Sequence, residues 1–313
     1  MKRYFKFSLS GSELFGLYIA FYLLFVASYG GLFWAVGRLE KGAAAPVREL
    51  AALFLCIAGL LLVYFVFTIL FSRKLVPALS LDDFPFKFER SLIRFLGMNA
   101  AGVLLSTVTL GVYAPWYAAK VMRYYTAGVS YKGKALEFRG KGKRLFVILL
   151  LTLCIPIAIL TVLALTVLKP IAGKPYYQAV VQVITMILLA PYFFMVYQWV
   201  VDFGYGSFSI RWDTRFMDAV PRILLQMGLT IVTAGIYYPA AYLKLYRYFM
   251  SKTVAASDGK TEGAFGFEGE VGEGFLLIWG QLLLTLVTLG IYAPWAICKI
   301  SARICEKSYY EWR

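Results

Sequence analysis

Thr109-Leu110-Gly111-Val112-Tyr113-Ala114-Pro115-Trp116 returns as Thr288-Leu289-Gly290-Ile291-Tyr292-Ala293-Pro294-Trp295, and in altered form as Thr233-Ala234-Gly235-Ile236-Tyr237-Tyr238-Pro239-Ala240. The shared pattern is Thr-x-Gly-[Val/Ile]-Tyr-x-Pro. Glycine permits backbone angles that other residues resist. Proline cannot donate to a preceding helix but presets the first turn of a new one. Each copy therefore reads as a break between two helices.

The correspondence extends outward from the break. Twenty-one residues before each Thr stands an aromatic, Phe88, Trp212 or Phe267, followed by an acid, Glu89, Asp213 or Glu268. Eleven residues after each Thr stands a lysine, Lys120, Lys244 or Lys299, and then an arginine, Arg123, Arg247 or Arg303. Phe7 and Phe138 open two weaker copies that lack the Tyr-x-Pro element. The chain thus divides into five related units within one domain spanning 1–313, approximately 4–80, 84–130, 131–201, 205–253 and 264–313. Each unit opens on a short alternating stretch, such as Phe84/Phe86/Phe88 or Phe208/Ile210/Trp212. Period-two alternation suggests a brief strand. Two readings stay open: the strands pair into a small cap on the membrane face, or the stretches are loops anchored in headgroups by their aromatics.

Between these stretches lie apolar runs long enough to cross a bilayer, for which about 20 residues suffice. They are Leu14 to Val36, Leu50 to Phe71, Leu145 to Leu168 and Ala179 to Val201. With 61% hydrophobic and only 16% charged residues, the chain could not cover a soluble surface. No removable signal peptide is read at the N-terminus, so the first run is expected to be retained. The formal charge of +15 is carried by cations flanking apolar runs. It points to topology and anionic headgroups as partners and away from nucleic acid. Cys56 and Cys154 lie in apolar runs, and Cys298 and Cys305 are seven residues apart with no histidine anywhere in the chain. No metal site, cofactor or disulfide framework is expected. No catalytic residues are read either. Phosphate-loop and nucleophile-elbow motifs are missing, and so are paired carboxylates within a span, so the chain is not expected to be an enzyme.

Two topologies compete. If the helices after each proline lie in loops, neither orientation collects a clear excess of cations. If they return toward their starting side, every unit start falls on one side with most cations, leaving Arg38, Lys41, Arg48, Lys169 and Lys174 opposite. The positive-inside rule favours the second arrangement, with both termini cytoplasmic. The returning helices are then short, and three states stay open for them: spanning, re-entrant or interfacial.

The pairs Lys120/Arg123, Lys244/Arg247 and Lys299/Arg303 each lie on one helical face. They are the candidate anion- or lipid-binding residues. The competing reading is snorkelling, in which long cationic side chains reach the nearer interface. The acids precede their lysines by a constant 31 residues. They read as first-turn residues favoured by the helix dipole.

These motifs resemble the YjgN-type family of bacterial multi-pass inner-membrane proteins. The resemblance rests on residues 109–116 and 288–295 and on the aromatic unit starts Phe84-Pro85-Phe86-Lys87-Phe88 and Phe265-Gly266-Phe267-Glu268-Gly269. It implies an inner-membrane location and carries no activity. Ala240 departs from it, where the other copies have Trp, which suggests a looser unit. The expected fold is an all-α membrane protein, a multi-span bundle of degenerate helix-pair repeats with short strand-like cytoplasmic caps. Two functions are expected to compete. One is a transporter- or channel-like role for an anionic or amphipathic solute. The other is a non-transporting protein that binds anionic lipid or scaffolds a membrane complex.

Overall fold

The computed structural model describes residues 2–40, 46–167, 169, 173–174, 176–257 and 260–312; Lys41 lies outside them. Its helices come in hairpins of two lengths. Helices α1 (Gly11–Glu40) and α2 (Pro46–Leu75) form a long one. Helix α5 (Gly142–Leu149) runs through a π turn at Leu150–Cys154 into α6 (Ile155–Leu165), and α7 (Tyr177–Val200) packs antiparallel to it. The π turn ends two residues before Pro156, whose missing N–H interrupts the helical ladder. Three hairpins are short: α3 (Leu92–Val108) with α4 (Ala114–Thr126), α8 (Phe216–Val232) with α9 (Tyr238–Ser251), and α10 (Val271–Val287) with α11 (Ala293–Lys307). Four helices are long and apolar enough to cross a membrane: Gly11–Glu40, Val47–Leu75, Gly142–Leu165 and Tyr177–Val200. Few of their residues are buried, and many large apolar side chains on them are exposed, which fits a membrane protein.

The strands are β1 (Lys2–Phe7), β2 (Leu79–Leu81), β3 (Phe84–Pro85), β4 (Lys87–Phe88), β5 (Val129–Tyr131), β6 (Lys134–Phe138), β7 (Asp202–Tyr205), β8 (Phe208–Trp212), β9 (Thr253–Ser257), β10 (Lys260–Phe267) and β11 (Ser308–Trp312). They form one antiparallel 11-stranded sheet in the order β3-β2-β1-β11-β10-β9-β8-β7-β6-β5-β4. Its two ends, β3 and β4, are halves of a single segment. Phe86 N donates to Leu79 O on one side (2.9 Å), and Glu89 N donates to Gly128 O on the other (3.0 Å). The sheet therefore curls into a nearly closed barrel.

This overturns the expected all-α bundle with strand-like caps. Strands of two to eight residues have little stability singly. Curling until the ends meet leaves almost no free edge, and edges are what make short sheets fragile. The register across the seam between the chain's two ends is Lys2↔Glu311, Arg3↔Tyr310 and Tyr4↔Tyr309.

Chain order is now simple. A strand enters, a helix pair follows, a strand returns, and a tight turn leads to the next entering strand. Five such strand–helix–helix–strand units run around the barrel. One hydrogen bond recurs at each junction. Ser8, Glu89, Arg139, Asp213 and Glu268 donate their N–H to Ala78, Gly128, Asp202, Lys252 and Lys307 carbonyls, at 2.8–3.0 Å. The three acids are therefore junction residues. They precede the helices, which begin at Leu92, Phe216 and Val271, and do not occupy a first turn.

The helix pairs form a matching ring. Besides the contacts within hairpins, α2 packs on α3, α4 on α5, α7 on α8, α9 on α10, and α11 back on α1. The first and last strands, β1 and β11, lie in the barrel, on one side of the helices.

Candidate functional site

The break motif positions the first candidate residues. At each tip two consecutive residues adopt positive φ: Leu110 and Gly111 (49° and 88°), Ala234 and Gly235 (49° and 86°), Leu289 and Gly290 (50° and 92°). The motif threonine seals the turn. Thr109 Oγ1 donates to Leu105 O (2.7 Å) and accepts from Tyr113 N (3.0 Å). Thr233 and Thr288 repeat this with Leu229 and Tyr237, and with Leu284 and Tyr292, at 2.8 and 3.0 Å. One hydroxyl thus caps the old helix and starts the new one, which Pro115, Pro239 and Pro294 then open. The copy at 233–240 is not looser, since its angles and bonds match the others.

The tips are apolar and open to the surroundings: Leu110 is 94% exposed, Val232 83% and Leu289 78%. A 17-residue helix such as α3 is about 25 Å long, short of the ~30 Å hydrocarbon core. Sealed backbone and bare apolar side chains suit a hairpin that ends inside the bilayer.

Downstream, the motif tyrosines organise the lysines. Lys244 Nζ donates to Tyr237 Oη (2.8 Å), which donates to Gln226 Oε1 (3.0 Å). Lys299, Tyr292 and Gln281 form the same chain at 3.0 and 3.1 Å. The first copy differs. Gly102 stands where the others have Gln, and the Tyr117 ring fills the space a Cβ there would need. Tyr117 then bonds to Asn99.

The arginines act separately. Arg247 donates to Gly269 O, Arg303 pairs with Glu273, and Arg123 stands exposed. The three basic pairs are not brought together. A cavity of about 610 Å³ lies against α7, α8 and α9, reached by Tyr238, Tyr242, Leu245 and Phe249 of α9. Lys244 and Arg247 are on the opposite side of that helix.

A second enclosure was not foreseen from sequence. The barrel holds a cavity of about 380 Å³ lined from nearly every strand. Phe5, Phe86, Leu136, Ile210, Phe265 and Tyr310 form its wall. Two residues further along the same strand faces come Phe7, Phe88, Phe138, Trp212 and Phe267, at the helix end of the barrel. Four of these are buried: Phe88 packs on Tyr125, Phe138 on Trp199, Trp212 on Tyr197 and Phe249, and Phe267 on Tyr246. They make an aromatic floor between the barrel cavity and the helices. Trp212 Nε1 is buried in this layer without a partner among the described residues.

At the opposite end of the barrel are the turns and charges. Asp82 Oδ2 accepts from Arg3 Nη1 at 2.8 Å and lies 3.6 Å from Lys132 Nζ. The signal for this chamber was present in the alternating unit starts. Two of their partner strands, β9 and β11, follow closely on helices and show no such alternation.

Residues 83–216 match the model of the family DUF898, described as a bacterial protein of unknown function. This is the YjgN-type family that the motifs resemble. The DUF898 segment begins in the turn before β3 and ends at the first residue of α8. It therefore takes in the short hairpin α3–α4, the long hairpin α5–α7 and the strands around them. No curated protein matches the chain, and no solved structure does.

Proposed function

We propose that this chain is an inner-membrane protein of five internal repeats that binds anionic phospholipid headgroups along the outer sides of its short hairpins. Both termini and the barrel face the cytoplasm in this reading, since the barrel side carries most of the cations. The observation that carries the proposal is the separation of the basic pairs. A transport path would gather them on one shared lining, whereas Lys120, Lys244 and Lys299 are exposed on separate helices and line neither of the two cavities described above.

Depth supports the same reading. From Lys244 to the end of α9 at Ser251 is about 10 Å of helix, within reach of a headgroup that settles below the bulk interface. Tyr237 and Gln226 give the ammonium a polar partner when no headgroup is there, which lowers the cost of a cation at that depth. Arg247 and Arg303 stand nearer the barrel and fix the junctions between helices and strands.

The test is lipid retention in native mass spectrometry after exchange into mixed phosphatidylglycerol and phosphatidylcholine. The wild-type protein is expected to keep phosphatidylglycerol preferentially, and the K244Q/K299Q variant to lose that preference. Equal retention by the two proteins would overturn the proposal.

A further inference from the structure

We propose that the barrel lumen is a binding chamber for a small organic anion with an apolar body, its charged group held at the mouth by Arg3 and Lys132. The enclosure has the volume of a small-molecule pocket: about 380 Å³, within the usual ~300–1,000 Å³. Its wall is aromatic and aliphatic. The lining hydroxyls of Tyr131 and Tyr205 are already committed, to Leu81 O (2.9 Å) and Tyr131 O (3.0 Å). The interior therefore offers an apolar body contact area and few competing polar groups.

Charge is confined to the mouth. Two cations converge there on one carboxylate oxygen, Asp82 Oδ2. Asp82 stands where the anionic group of a ligand would stand, and these three side chains together keep one positive charge in excess. Lys132 is further held against the Phe84 ring, 4.2 Å from its centroid. Trp312 closes the opposite side of the mouth over Phe208, with ring centroids 5.5 Å apart. Asp82 is carried by a tight turn, so it can swing out and leave both cations to a ligand. The aromatic floor blocks deeper entry, so the chamber takes a short body and excludes a two-chain phospholipid.

An organic cation suits the aromatic wall as well, but Arg3 and Lys132 would repel it at the entrance. An anion is favoured for that reason.

The experiment uses full-length protein in phosphatidylcholine nanodiscs, titrated calorimetrically with naphthalene-2-sulfonate and, separately, with decanoate; empty nanodiscs give the background. The two probes distinguish an aromatic body from an acyl one. Saturable binding of at least one probe is expected, and K132Q should weaken it about tenfold, the weight of one charge-assisted hydrogen bond. The decisive variant is D82N. Asn tolerates the positive φ of 58° at this position, so the turn is kept. If Asp82 occupies the place of the ligand's anion, D82N tightens binding severalfold. A carboxylate that merely staples the mouth predicts weaker binding in D82N, and that outcome overturns the proposal. So does the lack of saturable binding by both probes, or equal affinity for the neutral analogue 2-naphthylmethanol.

Discussion

The long hairpin α1–α2 and the short hairpin α8–α9 solve one problem in different ways. Both must turn a helical chain without leaving backbone groups bare in an apolar medium. At 30 residues each, α1 and α2 are about 45 Å long, enough to pass the hydrocarbon. Arg38 and Arg48 stand near their far ends. The tip of α8–α9 is built for an apolar medium instead. Its backbone is closed by Thr233, by two left-handed residues and by Pro239, with apolar side chains outside. The Thr-x-Gly-x-Tyr-x-Pro motif is thus what a hairpin needs when it stops inside the membrane, and the long hairpins lack it for that reason.

The two kinds also differ at their entrances. Where a long hairpin follows a short one, its first helix opens on glycine, and the preceding Trp sits on that glycine. A Cβ at Gly142 would lie 2.8 Å from Trp116 Cα, and one at Gly11 would lie 2.5 Å from the Trp295 ring. Where a short hairpin follows a short one, the equivalent residues are Ala240 and Val271, each four residues past its aromatic or one past its Pro. Trp with Gly and Ala with Val are complementary sizes at equivalent positions of the units. The largest expected effect follows. A240W should destabilise the fold by about 1–3 kcal/mol through overpacking, and V271G in the same chain should recover most of the loss. Thermal unfolding in detergent would show it. Equal instability of A240W and A240W/V271G would mean that the two positions do not answer each other.

A smaller effect is expected at the short tips alone. G235V places a β-branched residue at φ +86° with open space around it, so only backbone strain is added. About 1–2 kcal/mol is expected. The control is G30A in the long hairpin, a helical glycine with nothing within 4 Å, which should be neutral or slightly stabilising. Losses of similar size in both variants would erase the distinction drawn between the hairpins.

The sequence disclosed these tips and entrances unevenly. Apolar length and the motif made the membrane class and the helix breaks legible, because both are local. The aromatic row Phe88, Phe138, Trp212, Phe267 was legible as a recurrence, but its place at the base of a barrel was not. Within the sheet β1 pairs with β11, from opposite ends of the sequence, and no local pattern records that pairing. Two of the returning strands are also hard to read as strands. Ser308–Trp312 and Thr253–Ser257 follow helices directly and show no clean alternation. Charge was legible as a total and misleading in detail. Arg3 and Lys132 read as topology determinants, whereas the fold brings them to one carboxylate.

The smallest effect concerns the seam where the first, long unit meets the last, short one. Lys2 and Tyr4 on β1 both donate to Glu268 at the exit of β10, reaching across β11. The Lys2 and Tyr4 hydrogen bonds hold the Glu268 carboxyl below its ordinary pKa, and the Glu268 hydrogen bond raises that of Lys2. The signs define a window. Glu268 contributes fully above about pH 4.5, and its contribution is lost as the pH falls through its lowered value. The Lys2 contribution is complete below about pH 10.5 and is lost as the pH rises past its raised value. Both groups are exposed, so global stability should barely change. Local opening is the appropriate readout. Amide exchange in β1, corrected for the intrinsic pH dependence, should speed up in the wild-type protein as the pH falls through the lowered Glu268 value, with no such step in E268Q, while β7–β8 stays protected in both. A step of equal size in E268Q would show that the seam between the two kinds of unit is held by its ladder alone.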